Sequence, residues 1–225
     1  MGRITIARTS SLVACIATGV VGCAHPATRA DAPSVARCEE RLPRWDPAAR
    51  GAPAAVRVAL SASDSRSGWD VYGGARLREA LRAWNVAGLP FRLVEADTWL
   101  SADVRIVVLR DLPPDTARTG DLARYRAGFT RRSQDTSGRI VQAWVAVAER
   151  AADGEPFSVA DQEGTLRHEL GHALGLPHAG NALALMSPTP RVDAPTITDI
   201  RMARGLYRPQ CVHDVAAARQ AVLAR

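Results

Sequence analysis

The stretch at 168–178, H-E-L-G-H-A-L-G-L-P-H, restricts what this 225-residue chain can become more than any other. It holds three of the chain's five histidines. His168 and His172 are four apart, so on a helix they share one face, a turn from each other and about 6 Å along the axis. Both imidazoles can then converge on one ion at about 2.0–2.1 Å. Glu169, beside the first histidine, can reach a water on that ion without being a ligand itself. Gly175 can adopt a left-handed backbone that a side chain would penalise, so the helix stops there and the chain turns back. Leu176 and Pro177 then bring His178 to a third position around the ion. Three neutral imidazoles leave a fourth position for water, the arrangement of a catalytic zinc site rather than a closed structural one. The plain alternative is a small helix whose imidazoles happen to cluster.

The remainder of the chain alternates strand-like and helix-like patterns. A-V-R-V-A-L-S at 55–61 has one apolar face, and so do 91–95, 103–109 and 139–147, with Val104, Ile106 and Val108 alternating in the third. A helix over 73–87 places Leu77, Leu81 and Trp84 together and ends at Gly88 and Pro90. Residues 110–138 are polar and glycine-punctuated, as a loop would be. The histidine helix starts near Ser158 and Asp161 and can turn Val159, Leu166, Leu170, Ala173 and Leu174 inward. A further helix over 197–206 is expected, capped by Thr198 with Ile200 buried, and 215–223 can form a short amphipathic tail. One α+β domain follows, with a mixed twisted sheet backed by a helix.

The N-terminus belongs outside that fold. Arg3 and Arg8 precede an uncharged, largely apolar run at 10–22, too short to span a bilayer comfortably. The run ends in V-V-G-C, which resembles the lipobox of bacterial lipoproteins. That resemblance implies a signal peptide over 1–22, a diacylglycerol-modified Cys23 and a tether over 23–53, with the domain proper at 54–225. Ala24 after the cysteine resembles an outer-membrane address, so the implied location is the cell envelope; an ordinary signal cleaved near 24–30 would give a secreted or periplasmic protein. Cys15 leaves with the signal, so Cys38 and Cys211 remain, either as one disulfide or as two buried thiols. The net charge of +6 comes from arginine alone, since the chain has no lysine, and the arginines are dispersed. Without a basic stripe or a zinc-finger or RNA-binding signature, nucleic acid is not an expected partner.

Taken whole, 168–178 fills the H-E-x-x-H-x-x-G-x-x-H pattern of the metzincin clan of zinc endopeptidases, which the chain resembles. A-L-M-S-P at 184–188 is similar to the clan's Met-turn, with Met186 as a soft apolar floor under the ligands. A-D-V-R-I-V at 102–107 and T-D-I-R-M-A-R-G-L-Y at 198–207 bring the chain nearest to the matrixins. The resemblance implies a zincin fold with a catalytic helix, Met-turn and C-terminal helix. It also implies one catalytic zinc on His168, His172 and His178, and Glu169 as the base. An extended peptide would be held as an added strand along an edge lying between Phe129 and Trp144, register open. Peptide-bond hydrolysis outside the cytoplasm is the implied activity; a zinc-stabilised binding module, or a hydrolase of peptidoglycan or other amides, are the alternatives. The chain departs from matrixins in lacking the histidines of their second, structural zinc. Structural calcium could draw on Asp121, Asp135 or Asp153, without a supporting loop pattern. A-R-C-E at 36–39 only faintly resembles the matrixin latch, which leaves Cys38 as a zinc-blocking thiol a third alternative.

Overall fold

Val56 and Val58 are buried on one face of β1 (Ala55–Ser61), two positions apart with the exposed Arg57 between them. α1 (Trp69–Asn85) crosses over so that β2 (Arg92–Glu95) can lie parallel to β1, a pairing no tight turn could produce. β3 (Val104–Leu109) pairs parallel on the other side of β1. β4 (Gly128–Gln134) runs antiparallel to β5 (Ile140–Ala148), which is itself parallel to β3. The result is a five-stranded mixed sheet in the order β2-β1-β3-β5-β4, and α2 (Val159–Ala173) and α3 (Ile197–Leu206) join α1 as the helices of the described residues. This computed structural model describes residues 42–46, 54–61, 69–112, 127–151 and 153–208, all within one unit spanning Arg37–Arg225. Cys23, Cys38, Cys211, Asp121, the 1–22 segment and the 215–223 tail lie outside the described residues. Among the described residues no helix is long and apolar enough to cross a membrane.

The core sits between the sheet and the helices. Val104, Ile106 and Val108 of β3 and Ala143, Val145 and Val147 of β5 meet Leu77, Leu81 and Trp84 of α1 and Leu166 and Leu170 of α2. Trp84 is fully buried and its indole N–H donates to the Arg167 carbonyl at 2.8 Å, which pins α1 to α2 beside the histidines. On the other face of the sheet a smaller cluster gathers Leu112, Ala146 and Ala148.

Four local expectations are corrected. The stretch expected as a loop over 110–138 contains β4, an edge strand whose side chains are mostly half-exposed, so no apolar alternation marks it. It supplies the sheet edge, whereas Trp144 lies one strand further in, on β5. α1 begins at Trp69, earlier than expected, and carries Gly73 and Gly74 inside it; Gly73 lets Leu60 of β1 come close, since a Cβ there would stand 3.0 Å from the leucine Cδ2. Val159, expected to face inward, is exposed at the first turn of α2. The cap of α3 is Thr196 rather than Thr198, and the buried residue of its first turn is Asp199, not the half-buried Ile200.

The early segment 42–46 closes the far end of α2. The Trp45 indole donates to the Ala173 carbonyl at 2.8 Å, and the Tyr207 hydroxyl donates to the Leu174 carbonyl at 2.6 Å. Arg132 of β4 donates to the His172 carbonyl at 2.9 Å. Side chains from three distant parts of the chain thus reach three successive carbonyls at this helix end, that of His172 already accepting from the Gly175 N–H at 2.9 Å. Burial pushes the Tyr207 phenol far above its usual range, with partial opposition from its bond to the Trp45 backbone N–H and from the Arg44 and Arg132 charges, so it remains a neutral donor. Trp45→Phe keeps the ring and removes the donor. It should cost about 1–2 kcal/mol in a urea titration by orphaning the Ala173 carbonyl; an unchanged midpoint would rule out the capping role.

Candidate metal centre

Ser158 caps α2: its hydroxyl accepts from the Asp161 N–H at 3.1 Å, while Asp161 accepts from the Ser158 N–H, which starts the helix in the register that carries His168 and His172. After Leu174 the chain turns at Gly175 with φ +99°, a left-handed conformation costly for any side chain. A Cβ there would also overlap the Pro43 carbonyl. The turn returns His178 toward the helix. One ligand-capable atom from each of His168, His172 and His178 lies within 4.8 Å of the others, and the Nε2 atoms of His172 and His178 are 3.1 Å apart. Two nitrogens on one tetrahedral zinc stand roughly 3.3 Å apart, so the spacing fits.

The ring orientations are set from behind. His168 Nδ1 lies 2.6 Å from the Leu185 carbonyl and His172 Nδ1 lies 2.9 Å from the Leu176 carbonyl. A carbonyl only accepts, so both Nδ1 atoms carry the proton and both Nε2 atoms keep a lone pair for a metal. Burial lowers the pKa of His168 against the opposing pull of its Leu185 bond and Asp199. Burial also lowers His172, to about 4, against its bond to Leu176 and with added repulsion from His168, His178 and Arg132. Both are therefore neutral, the ligating form, near neutral pH. His168 is buried, His172 half-buried and His178 exposed, so the triad opens to solvent on the His178 side.

Beneath the histidines, Met186 is fully buried and packs so closely on α2 that a Cβ on Gly171 would overlap its sulfur. The Met186 carbonyl accepts from the Ala179 N–H at 2.7 Å, which ties this segment to the residue after His178. Asp199, which is not among the expected site residues, holds the same segment through its main chain. Fully buried, it accepts from the N–H groups of Leu185 and Met186 at 2.9 Å each and from the N–H and hydroxyl of Thr196 at 2.7 Å each. Burial alone would raise its pKa, but these hydrogen bonds prevail and hold the carboxyl below its usual value. The available signal was an acidic residue three positions after a threonine at a helix start.

Glu169 is buried against β4, where the Thr130 hydroxyl lies 2.7 Å from its carboxylate Oε2. Among the described residues the histidine triad is the one group of three or more ligating side chains able to share an ion. Asp135 is engaged by Ser137 and Arg139 in the β4–β5 turn, which draw its carboxyl well below the usual range, and Asp153 is exposed. Comparison of the sequence with protein-family models and with curated proteins finds no match.

Proposed function

We propose that the chain is a zinc-dependent endopeptidase of the metzincin type, nearest to the matrixins. The observation that carries this reading is the convergence of three histidines, two of them held neutral by burial, with a buried methionine packed on their helix and an adjacent glutamate turned to the edge strand. The mixed sheet, its backing helix and the order α2, turn, α3 are compatible with such a fold. Zinc held by His168, His172 and His178 supplies a Lewis acid that acidifies water and polarises a carbonyl. Glu169 accepts the proton of the attacking water and returns it to the departing amine. The tautomers enforced by Leu185 and Leu176 keep the ligand lone pairs aimed at the metal. Met186 gives the ligands a fixed apolar floor, and Gly175 provides the turn that carries the third ligand. A substrate peptide in extended form pairs with the outer edge of β4, the strand that ends the sheet. Lipidation at Cys23 would hold the enzyme in the cell envelope and give it substrates outside the cytoplasm.

The test is a cleavage profile on a mixed-sequence peptide library, run with zinc and with excess chelator. Internal cleavage that stops on chelation and returns with zinc is expected. A zinc-loaded protein that cuts no peptide sinks the reading, and cleavage confined to peptidoglycan stem peptides would replace it with an amidase acting on the wall.

A further inference from the structure

Three alternate residues of β4 face α2, and they meet it in succession between Thr165 and His172. Gly128 comes first: a Cβ there would stand 2.7 Å from Thr165 Cγ2, 2.9 Å from Glu169 Cγ and 3.0 Å from the Ala146 carbonyl oxygen. The bare backbone is therefore what lets the Glu169 stem lie against the strand. Thr130 is next, its hydroxyl 2.7 Å from Glu169 Oε2 and 2.9 Å from the Glu169 carbonyl. A hydroxyl has one proton, and the side-chain oxygen is the nearer of the two acceptors. Arg132 is third, and its guanidinium donates to the carbonyl of His172. Because side chains on a strand alternate, Gly128, Thr130 and Arg132 share one face by construction.

We infer that Thr130 is a positioning residue that fixes the orientation of the Glu169 carboxylate, with Gly128 providing the space in which it is held. The catalytic consequence rests on the endopeptidase reading; the orientation itself does not. A carboxylate on a two-carbon stem rotates freely in water. Held by a hydroxyl from the sheet's edge, it keeps one oxygen on the strand, and that contact fixes the plane of the whole carboxylate. The strand that would receive the peptide thereby also sets the angle of the base, so substrate register and base position share one origin. Geometry of this kind matters because a displacement of about 1 Å costs on the order of 100-fold in rate.

The experiment compares Thr130→Val, which keeps the shape and β-branching, with Thr130→Ser, which keeps the hydroxyl; Thr130→Ala stands in if the valine variant does not fold. Crystal structures of the zinc-loaded variants read the carboxylate, zinc stoichiometry reads the ligands, and peptide hydrolysis reads kcat and KM. In Thr130→Val the Glu169 carboxylate should swing off β4 with zinc content unchanged, and kcat should fall roughly 10- to 100-fold at constant KM. Thr130→Ser should restore both. An unmoved carboxylate in Thr130→Val, or a moved one that serine does not restore, overturns the inference. If wild-type protein cuts no peptide while the carboxylate still swings in the valine variant, the positioning stands and the endopeptidase reading fails.

Discussion

Glu169→Gln should leave the zinc content of the purified protein at wild-type level and reduce peptide hydrolysis by about 10²- to 10⁴-fold, whereas His168→Ala should lose the metal itself. The split follows from the site. Glutamine keeps the shape of Glu169 and can still take the Thr130 hydroxyl, but it cannot accept a proton, and general-base catalysis is worth about that factor. His168 contributes the most buried of the three candidate ligands. Its removal also leaves the Leu185 carbonyl without the donor that now stands 2.6 Å away, so a stability loss of about 1–3 kcal/mol should accompany the metal loss. The measurements are zinc per protein after dialysis, peptide turnover, and a urea midpoint. Equal metal loss in the two variants, or full turnover by Glu169→Gln, would contradict the assigned roles.

The second large effect is expected at Asp199. Replacement by alanine strips the acceptor from four donors at once, three of them main-chain N–H groups and one the Thr196 hydroxyl. A buried acceptor network broken on one side costs about 3–5 kcal/mol. Asparagine is milder, about 2–3 kcal/mol, because its oxygen can replace Oδ2 while its amide confronts the Met186 N–H. The damage should reach the metal as well. Leu185, whose N–H is held by Asp199, presents its carbonyl to His168, so zinc affinity in the alanine variant should fall about 10- to 100-fold. Chelator competition measures this, and unchanged affinity would show that the support is not transmitted.

Asp199 also predicts an acid limb. Its folded pKa lies below the ordinary carboxylate value of about 3.9, so its stabilising contribution is complete above that value and is lost as pH falls through the folded pKa. His172 acts in a separate window. Its folded pKa of about 4 lies below the ordinary imidazole value, so the unfolded chain binds the extra proton, and metal-free protein loses stability as pH drops from about 6.5 to 4. Urea midpoints of metal-free protein should therefore decline in two stages. The lower stage should flatten in Asp199→Asn, and a lower stage of undiminished slope would remove Asp199 from the account.

What could be read from the residues alone is what repeats locally. Val104, Ile106 and Val108 advertise a strand, and Leu166, Leu170 and Leu174 a helix, because each element buries a face at its own period. The histidine spacing was legible for the same reason: a helix converts an interval of four into a shared direction. β4 was not, since an edge strand with half-exposed side chains has little apolar face to mark. Nor were the partners of the α2 carbonyls. Trp45 and Tyr207 are joined across 162 positions, a pairing that no short window contains. Asp199 lay between these cases, visible as a helix-start acid but silent about Leu185 and Met186, which it meets only through the fold.

The three crowded glycines divide the surroundings of the histidines into a frozen part and a free one. At Gly128, Gly171 and Gly175 an added carbon would overlap Glu169, Met186 and the Pro43 carbonyl respectively, so the strand, the helix and the turn cannot be enlarged without shifting what packs on them. Pro188, Thr189, Pro190, Arg191, Asp193 and Ala194, by contrast, all face solvent in the segment that follows Ser187. Its main chain is moored to α2 by the bond from Arg167 to the Asp193 carbonyl, and Val192 packs against the core between these exposed residues. Among the described residues this exposed segment can change its chemistry residue by residue while the buried surroundings of Met186 and Asp199 stay as they are.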